Sequence, residues 1–435
     1  MLFRQFVDDD LGCATYLVGD ADAGVAVVVD PTFRTGLFVD AAANAGVRIE
    51  RVLETHTHAD HLSGHGRLAL EHGVPTAISK LADAEYPHEP LHDGDVVAVG
   101  GVQIRVLATP GHRPEHCAFI VDDRVVLTGD SLFIGDAARP DLAVAAREGA
   151  EALFRSLQRL AELGDSVAVF PGHVAGSLCG GNMSAERSTT IGRERATNPS
   201  LEHREMQDFV MVAASVSTPR PPTTERVVGL NRGPWVGVPA GPAELPDAGG
   251  ATMLDVRPFG DFAAGHAPGA LSVPLDGGSF ATKAAFVLLP DEAVVLHAGS
   301  RDDALEAARR LWAVGLLDVG GYVLDADSSW QLPSLSAADL RALLDEVQVV
   351  DVREPSERDG GYIPGSRNIP YRLVRKLGAD ALDPGTPVVT VCESGARAAI
   401  AASVLRREGF DARPVVDGGV PDFDGEIVGF RRCGS

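Results

Sequence analysis

Residues 55–64 read THTHADHLSG, which puts His56, His58, Asp60 and His61 within six consecutive positions. The apolar run RVLET (51–55) leads into them, so a strand delivers the cluster to a loop. Three further potential ligands close separate apolar runs: His112 in ATPGH, Asp130 in VLTGD and His173 in VFPGH. If those runs are strands of packed sheets, the loops that follow them converge on one rim. Imidazoles and carboxylates are ligands of iron, zinc and manganese, and a metal site needs several of them on rigid elements. A lone loop histidine is usually a solvated or capped side chain. Here five of the thirteen histidines share the strand-end pattern with two aspartates, so a metal site is the favoured reading.

Outward from this cluster, residues 1–215 alternate β-rich runs such as VAVVVD (25–30), IRVLAT (104–109) and SVAVFPG (166–172) with loops. The stretch EALFRSLQRLAEL (151–163) instead has helical periodicity, with Leu153, Leu157, Leu160 and Leu163 on one face. The spacing predicts a mixed α/β domain with much sheet. From 216 to 250 the composition turns to Pro and Gly, as in TPRPPTT (218–224) and GPWVGVPAGPAELP (233–246), which predicts an extended connector.

Beyond it the chain repeats itself. Asp255-Val256-Arg257 matches Asp351-Val352-Arg353, Pro268-Gly269 matches Pro364-Gly365, and Val273-Pro274 matches Ile369-Pro370, each 96 positions apart. Two tandem domains, 251–330 and 334–435, are expected rather than a solenoid, because each copy is long enough to bury its own core. In each, a β-run leads through a loop into a helix: LHAGSR (296–301) in the first, CESGAR (392–397) in the second. The backbone N–H groups of Glu393, Ser394, Gly395 and Ala396, with the positive end of the following helix, form an anion cradle. That field favours thiolate at Cys392 and can hold a persulfide or sulfite, with Arg397 adding charge. Phosphatase loops share the pattern but are longer. The 96-residue offset puts Leu296 where Cys392 stands, so the first copy reads as a domain without the thiol of the second, a spacer or docking surface.

Composition bounds the rest. A length of 435 residues suggests about three domains of roughly 150 each. Hydrophobic content of 45% with 23% charged residues is ordinary for globular protein, so disorder is not expected. A net charge of −23 argues against nucleic acid or anionic membrane as partner. No run reaches 18 apolar residues, so no membrane span is expected. The N-terminus MLFRQFVDDDLG lacks the basic and apolar regions of a secretory signal. Cys13, Cys117, Cys179, Cys392 and Cys433 are sparse and far apart, which suits a reducing compartment and predicts a cytoplasmic protein. Cys13 and Cys117 read as packing residues, and Cys433 has no assignable role.

The pattern HxHxDH with His112, Asp130 and His173 resembles the metallo-β-lactamase fold, a four-layer αββα sandwich with metal at its rim. Within that superfamily THTHADHLSG, TPGHRPEHCAFIV (109–121) and TGDSLFIGDAARPDL (128–142) resemble the ETHE1-like persulfide dioxygenases. PGHVAGSLCGGNMSAERSTTIGRERATNPSL (171–201) resembles the branch fused to rhodanese domains, and DVREPSE (351–357), GYIPGSRNIP (361–370) and DGGVPDF (417–423) resemble a rhodanese domain. The implied fold class is α/β: the sandwich first, then two rhodanese-like domains, each a central parallel sheet flanked by helices.

The resemblance also implies chemistry. One Fe(II) per chain would be held by His56, His112 and Asp130, leaving three positions for O₂ and a substrate sulfur. His58, Asp60, His61 and His173 would be outer groups that orient ligands or bind water. Arg139 and Asp141, in AARPDL with Ala138 in place of the family's glycine, would shape the pocket wall, with Cys179 nearby. Cys392 would carry sulfur, and Tyr362 stands where many rhodaneses have histidine. The expected protein is a bifunctional sulfide-detoxification enzyme acting on a low-molecular-weight thiol persulfide, O₂ and sulfite or thiosulfate, and a homo-oligomer. With all seven ligand types present, a hydrolase with two zinc ions remains an alternative, as does a non-catalytic sulfur relay or sensor.

Overall fold

The computed structural model describes residues 1–174, 184, 186–215 and 219–429. They form two compact units, one of Met1–Pro239 with Trp312–Gly315, the other of Ala240–Leu311 with the chain from Leu316 onward. Among the described residues no helix is long and apolar enough to cross a membrane.

In the first unit two six-stranded sheets face each other. One runs, in spatial order, Leu2–Val7, Ala14–Asp20, Val25–Val29, Arg48–Leu53, Thr76–Ser79 and His88–Leu91. The other runs Thr189–Thr190, Ala168–Pro171, Val125–Gly129, Cys117–Val121, Val102–Ala108 and Val96–Val99. Central strands are apolar on both faces because both faces are covered. Val27 and Val29 turn inward to meet Phe119, Val121 and Leu127 of the opposite sheet. Ala26 and Val28 turn outward to the helix Gly36–Asn44, against its buried Phe38, Ala41 and Ala42. On the far side Ala118 and Ile120 pack on Leu153, Leu157 and Leu160 of the helix Ala146–Ala161. The result is the αββα sandwich. Each fully buried Val or Leu contributes about 1.5–3 kcal/mol, so the inner layer is the main stabilising element of this unit.

The two parallel pairs, Val25–Val29 with Arg48–Leu53 and Val125–Gly129 with Ala168–Pro171, end at the same rim as Val102–Ala108. Asp30, the 54–61 segment, His112, Asp130 and His173 all lie just past those strand ends. Residues 216–250 are not simply extended: TERVVGLNR forms the helix Thr224–Arg232, whose buried Asn231 returns to the ligand loop. Prolines on both sides hid a nine-residue helix that its single turn-and-a-half of apolar spacing did not reveal.

The second unit holds two parallel sheets of like strand order. The first is Leu271–Ser272, Thr252–Asp255, Val294–His297 and Val319–Val323; the second is Arg367–Asn368, Gln348–Asp351, Val388–Val391, Ala412–Asp417 and Leu335–Ser336. The register corrects one expectation. Asp255 lies opposite His297, whereas Asp351 lies opposite Val391, so the offset has fallen from 96 to 94 at this strand. Leu296 is therefore a buried residue inside the strand, and Ala298 is the residue that leaves it as Cys392 leaves its own. Three residues separate strand from helix in the first copy and four in the second. A constant offset could not register a deletion between its anchor points.

Glu292 joins the two repeats. It accepts from Arg375 at 2.8 and 3.1 Å and from Arg407 at 3.0 Å, and bonds the Thr252 hydroxyl. Burial raises its pKa, but the hydrogen bonds from Arg375 and Thr252 outweigh this and hold it down at about 2. A carboxylate depressed below its unfolded value of about 4.3 stabilises the fold above that pH and loses the contribution as pH falls toward 2. Glu292→Gln should cost about 1.5–3 kcal/mol at pH 7 in denaturant unfolding, with the deficit shrinking between about pH 4.3 and pH 2. A deficit that does not change with pH would show that the charge is unimportant.

Candidate metal centre and sulfur-transfer loop

His56, His112 and Asp130 come together at the rim, all buried, with one donor atom from each within 4.8 Å of the others. Asp130 Oδ2 lies 3.5 Å from His112 Nε2 and 4.0 Å from His56 Nε2, and the two rings stand at 90°. His56 Nε2 and Asp130 Oδ2 find no hydrogen-bond partner among the described residues. Leaving two buried polar atoms unsatisfied costs about 1–3 kcal/mol each. A cation shared by the three atoms removes that cost, so the donor set fits a metal ion.

The far side of each ligand is fixed. His56 Nδ1 is 2.9 Å from the Thr55 hydroxyl, which donates to Asp30 Oδ2 at 2.8 Å. His112 Nδ1 donates to the Arg139 carbonyl at 3.1 Å, which leaves Nε2 with its lone pair toward the centre. Asp130 Oδ1 is 2.7 Å from His173 Nδ1. A Cβ at Gly172 would stand 2.6 Å from that same Oδ1, so only glycine fits before His173. Burial, then the neighbouring histidines, depress the His56 pKa, and burial depresses that of His112, so both imidazoles are neutral as ligands must be. Burial pushes the Asp130 carboxyl up, but His173 outweighs it and holds the group ionised.

The remaining four ligand types have carboxylate or thiol partners, although His58 Nδ1 and His61 Nε2 are also buried without a hydrogen-bond partner among the described residues. His58 Nε2 meets Glu54 at 3.1 Å and Asp30 at 3.4 Å, with its ring 4.3 Å from that of His56. Burial lowers its pKa, yet the two carboxylates outweigh this and raise it, while Glu54, pushed up by burial, is brought down to about 2 by His58 and His65. Asp60 holds His173 Nε2 at 2.8 Å and His61 Nδ1 at 3.1 Å. Cys13, expected merely to pack, joins this group: its Sγ lies 3.2 Å from His173 Nε2 and 3.3 Å from His61 Nδ1. Sequence separation concealed it, since a short apolar neighbourhood around Cys13 carries no metal-ligand spacing.

Other supporting groups were also invisible in the sequence. His116 Nε2 accepts from the Asp130 backbone N–H at 2.9 Å, and burial, then His112, lower its pKa to about 3, keeping that acceptor available. Asn231 donates to the His58 and His61 carbonyls at 2.9 and 2.8 Å and accepts from Ser63 N–H at 2.9 Å. Arg139 and Asp141 pair at 2.6 and 2.8 Å. Arg139 lines a small cavity with Asp60 and Arg220; Arg220, from the expected connector, bonds the Asp141 and Leu142 carbonyls. Cys179 and Cys433 lie outside the described residues. Cys117 sits in the inner apolar layer, as read.

In the second unit Cys392 is buried at the end of Val388–Val391, and its Sγ accepts from Gly395 N–H at 3.0 Å. Gly395 has φ 92°, and a Cβ there would stand 2.7 Å from the Val416 Cα, so the loop requires glycine. The helix Ala396–Arg407 begins directly after it. Glu393, Ser394 and Ala396 are exposed. Arg397 does not add a loose charge: it pairs with Glu357 at 2.6 and 2.7 Å, which outweighs burial and raises its pKa. Tyr362 lies under the Arg358 guanidinium at 4.2 Å.

A family model for the metallo-beta-lactamase superfamily matches residues 8–173, and one for the rhodanese-like domain matches 243–326 and 336–426. The bovine mitochondrial persulfide dioxygenase ETHE1 is 30% identical over 236 residues, covering 53% of this chain and 87% of that protein. The human enzyme of the same name is 28% identical over the same shares. A crystal structure of a metallo-beta-lactamase from Staphylococcus aureus superposes with a TM-score of 0.69 at 26% identity, covering 74% of this chain and 98% of that one. The chain therefore belongs to the metallo-β-lactamase superfamily, among the relatives of the persulfide dioxygenase ETHE1, and carries two rhodanese-like domains after that fold.

Proposed function

We propose that this chain is a bifunctional sulfur-metabolising enzyme: an Fe(II)-dependent dioxygenase that oxidises a low-molecular-weight thiol persulfide to sulfite, coupled to a Cys392 sulfurtransferase. The observation that carries the first half is the division of the seven candidate ligands. Among the described residues His56, His112 and Asp130 bring one donor atom each within 4.8 Å of one another, whereas His58 groups with Asp30 and Glu54, and Asp60, His61 and His173 group with Cys13. Two imidazoles and one carboxylate suit a single iron with open positions better than a pair of zinc ions. When bound there, Fe(II) supplies the redox chemistry that O₂ requires and a position for the persulfide sulfur.

The overall conversion balances as RSSH + O₂ + H₂O → RSH + SO₃²⁻ + 2H⁺. The residues of the chain orient and shield. His173 keeps Asp130 turned with Oδ2 to the centre, and the Arg139 carbonyl fixes the His112 tautomer. Arg139 and Arg220, both paired with Asp141, line a small cavity beside Asp60 and would shape the substrate pocket. In the second unit the Cys392 thiolate attacks the outer sulfur of thiosulfate. The S–S bond breaks, sulfite leaves with the electron pair, and a Cys392 persulfide remains; the reverse step makes thiosulfate from sulfite. Placing both activities on one chain raises the effective concentration of shared intermediates. The cytoplasm and a homo-oligomeric assembly complete the proposal.

Anaerobic purification with metal analysis, followed by an oxygen-electrode assay, tests it. About one iron per chain and O₂ uptake only with persulfide present are expected; zinc without O₂ uptake after iron loading would sink the reading. His112→Ala should abolish iron binding and lower O₂ uptake more than about 100-fold. His61→Ala should keep one metal per chain, whereas in a two-zinc site it would halve the stoichiometry. Cys392→Ser should remove sulfur transfer from thiosulfate and leave persulfide-dependent O₂ uptake intact; appreciable residual transfer would point to another thiol.

A further inference from the structure

The repeat that lacks a cysteine forms part of the cavity at the Cys392 loop. This cavity, of about 300 Å³, is bordered on one side by Ser394, Gly395 and Ala396 and on the other by Asp276, Gly277 and Lys283 of the first repeat. Lys283 lies on the helix Phe280–Val287, and its Nζ donates to the Gly278 carbonyl at 2.5 Å, which places the ammonium beside the turn that enters the helix. The loop's own cation is committed to carboxylates: Arg397 binds Glu357 at both nitrogens and lies 3.8 Å from Glu393. Among the residues bordering the cavity, Lys283 is the cation and Asp276 the carboxylate.

We propose that Lys283, supplied by the cysteine-free repeat, binds the oxyanion group of the Cys392 substrates, thiosulfate or sulfite, and so sets their specificity. The inference rests on the sulfurtransferase reading of Cys392. Thiosulfate and sulfite are dianions, and backbone amides alone supply only partial charges. A lysine ammonium is a compact charge with three donors on a flexible stem, suited to a tetrahedral or pyramidal oxyanion that changes position as the S–S bond breaks. Charge on the leaving sulfite rises in that step, so a cation across the cavity favours its departure and, in reverse, its approach. The first repeat thereby acts at the reaction it cannot perform.

The test uses the full chain. Thiosulfate binding to Cys392→Ser, measured by calorimetry, should weaken roughly 10-fold when Lys283→Met is added, and Lys283→Arg should restore most of it. In the chain that retains Cys392, Lys283→Met should raise KM for thiosulfate by a similar factor with kcat changed less, and added salt should reduce the difference. Thermal unfolding of each variant excludes a folding defect as the cause. Unchanged thiosulfate affinity and KM in Lys283→Met would overturn the inference, as would failure of the Cys392→Ser chain to bind thiosulfate at all. Binding that depends on Lys283, in a chain that transfers no sulfur, would keep the oxyanion site and sink the sulfurtransferase reading.

Discussion

The hydrogen bond between His173 Nδ1 and Asp130 Oδ1, 2.7 Å long and wholly buried, decides what the rim of the first unit can hold. It joins the ends of two neighbouring parallel strands and takes one carboxylate oxygen, so the other must face His56 and His112. Gly172 is needed because any side chain would strike the oxygen being bonded, and His116 holds the Asp130 backbone from behind. Lose this bond and the carboxylate could rotate, with no defined third ligand for the two imidazoles.

The same bond separates two chemistries that share one set of residue types. His173 is drawn to Asp130 on one nitrogen and to Asp60 and Cys13 on the other, and His61 joins them through Asp60. His58 is held by two buried carboxylates on the opposite side. His58 Nδ1 and His61 Nε2 are buried without a hydrogen-bond partner among the described residues, but a two-metal site would need Asp60 and His173 to release one another, which would strand buried polar or charged groups. The proposed single-iron reading therefore rests on which donor atoms lie together rather than on ligand identity.

In the second unit the difference between the repeats is one of backbone before it is one of side chain. The first copy leaves its strand at Ala298 and enters its helix after three residues; the second has four, with Gly395 at positive φ returning its N–H to Cys392 Sγ. A cysteine placed at 296 would sit buried inside the strand rather than in the loop that follows it. The shared Glu292 network between the repeats keeps their common surface ordered, and the cavity at the Cys392 loop takes residues from both.

Much of this was legible in the chain itself. Apolar runs ending in histidine or aspartate announced the sandwich and its rim, because strands buried on both faces must be apolar throughout and polar groups can gather only where they stop. Tandem DVR and PG signals announced two like domains, and CESGAR announced a strand-loop-helix thiol. What the sequence could not state was partnership. Cys13, Asp30, Glu54, His116, Arg220 and Asn231 acquire their places only when distant segments meet, and no local spacing marks them. The Leu296 assignment failed for a related reason: identity at fixed offset counts residues, whereas sheet register counts hydrogen bonds. Residue types and their periodicity determined the fold class and the candidate donors. Tertiary structure decided which donors are left open, because a buried polar group's availability depends on which neighbours have already satisfied it.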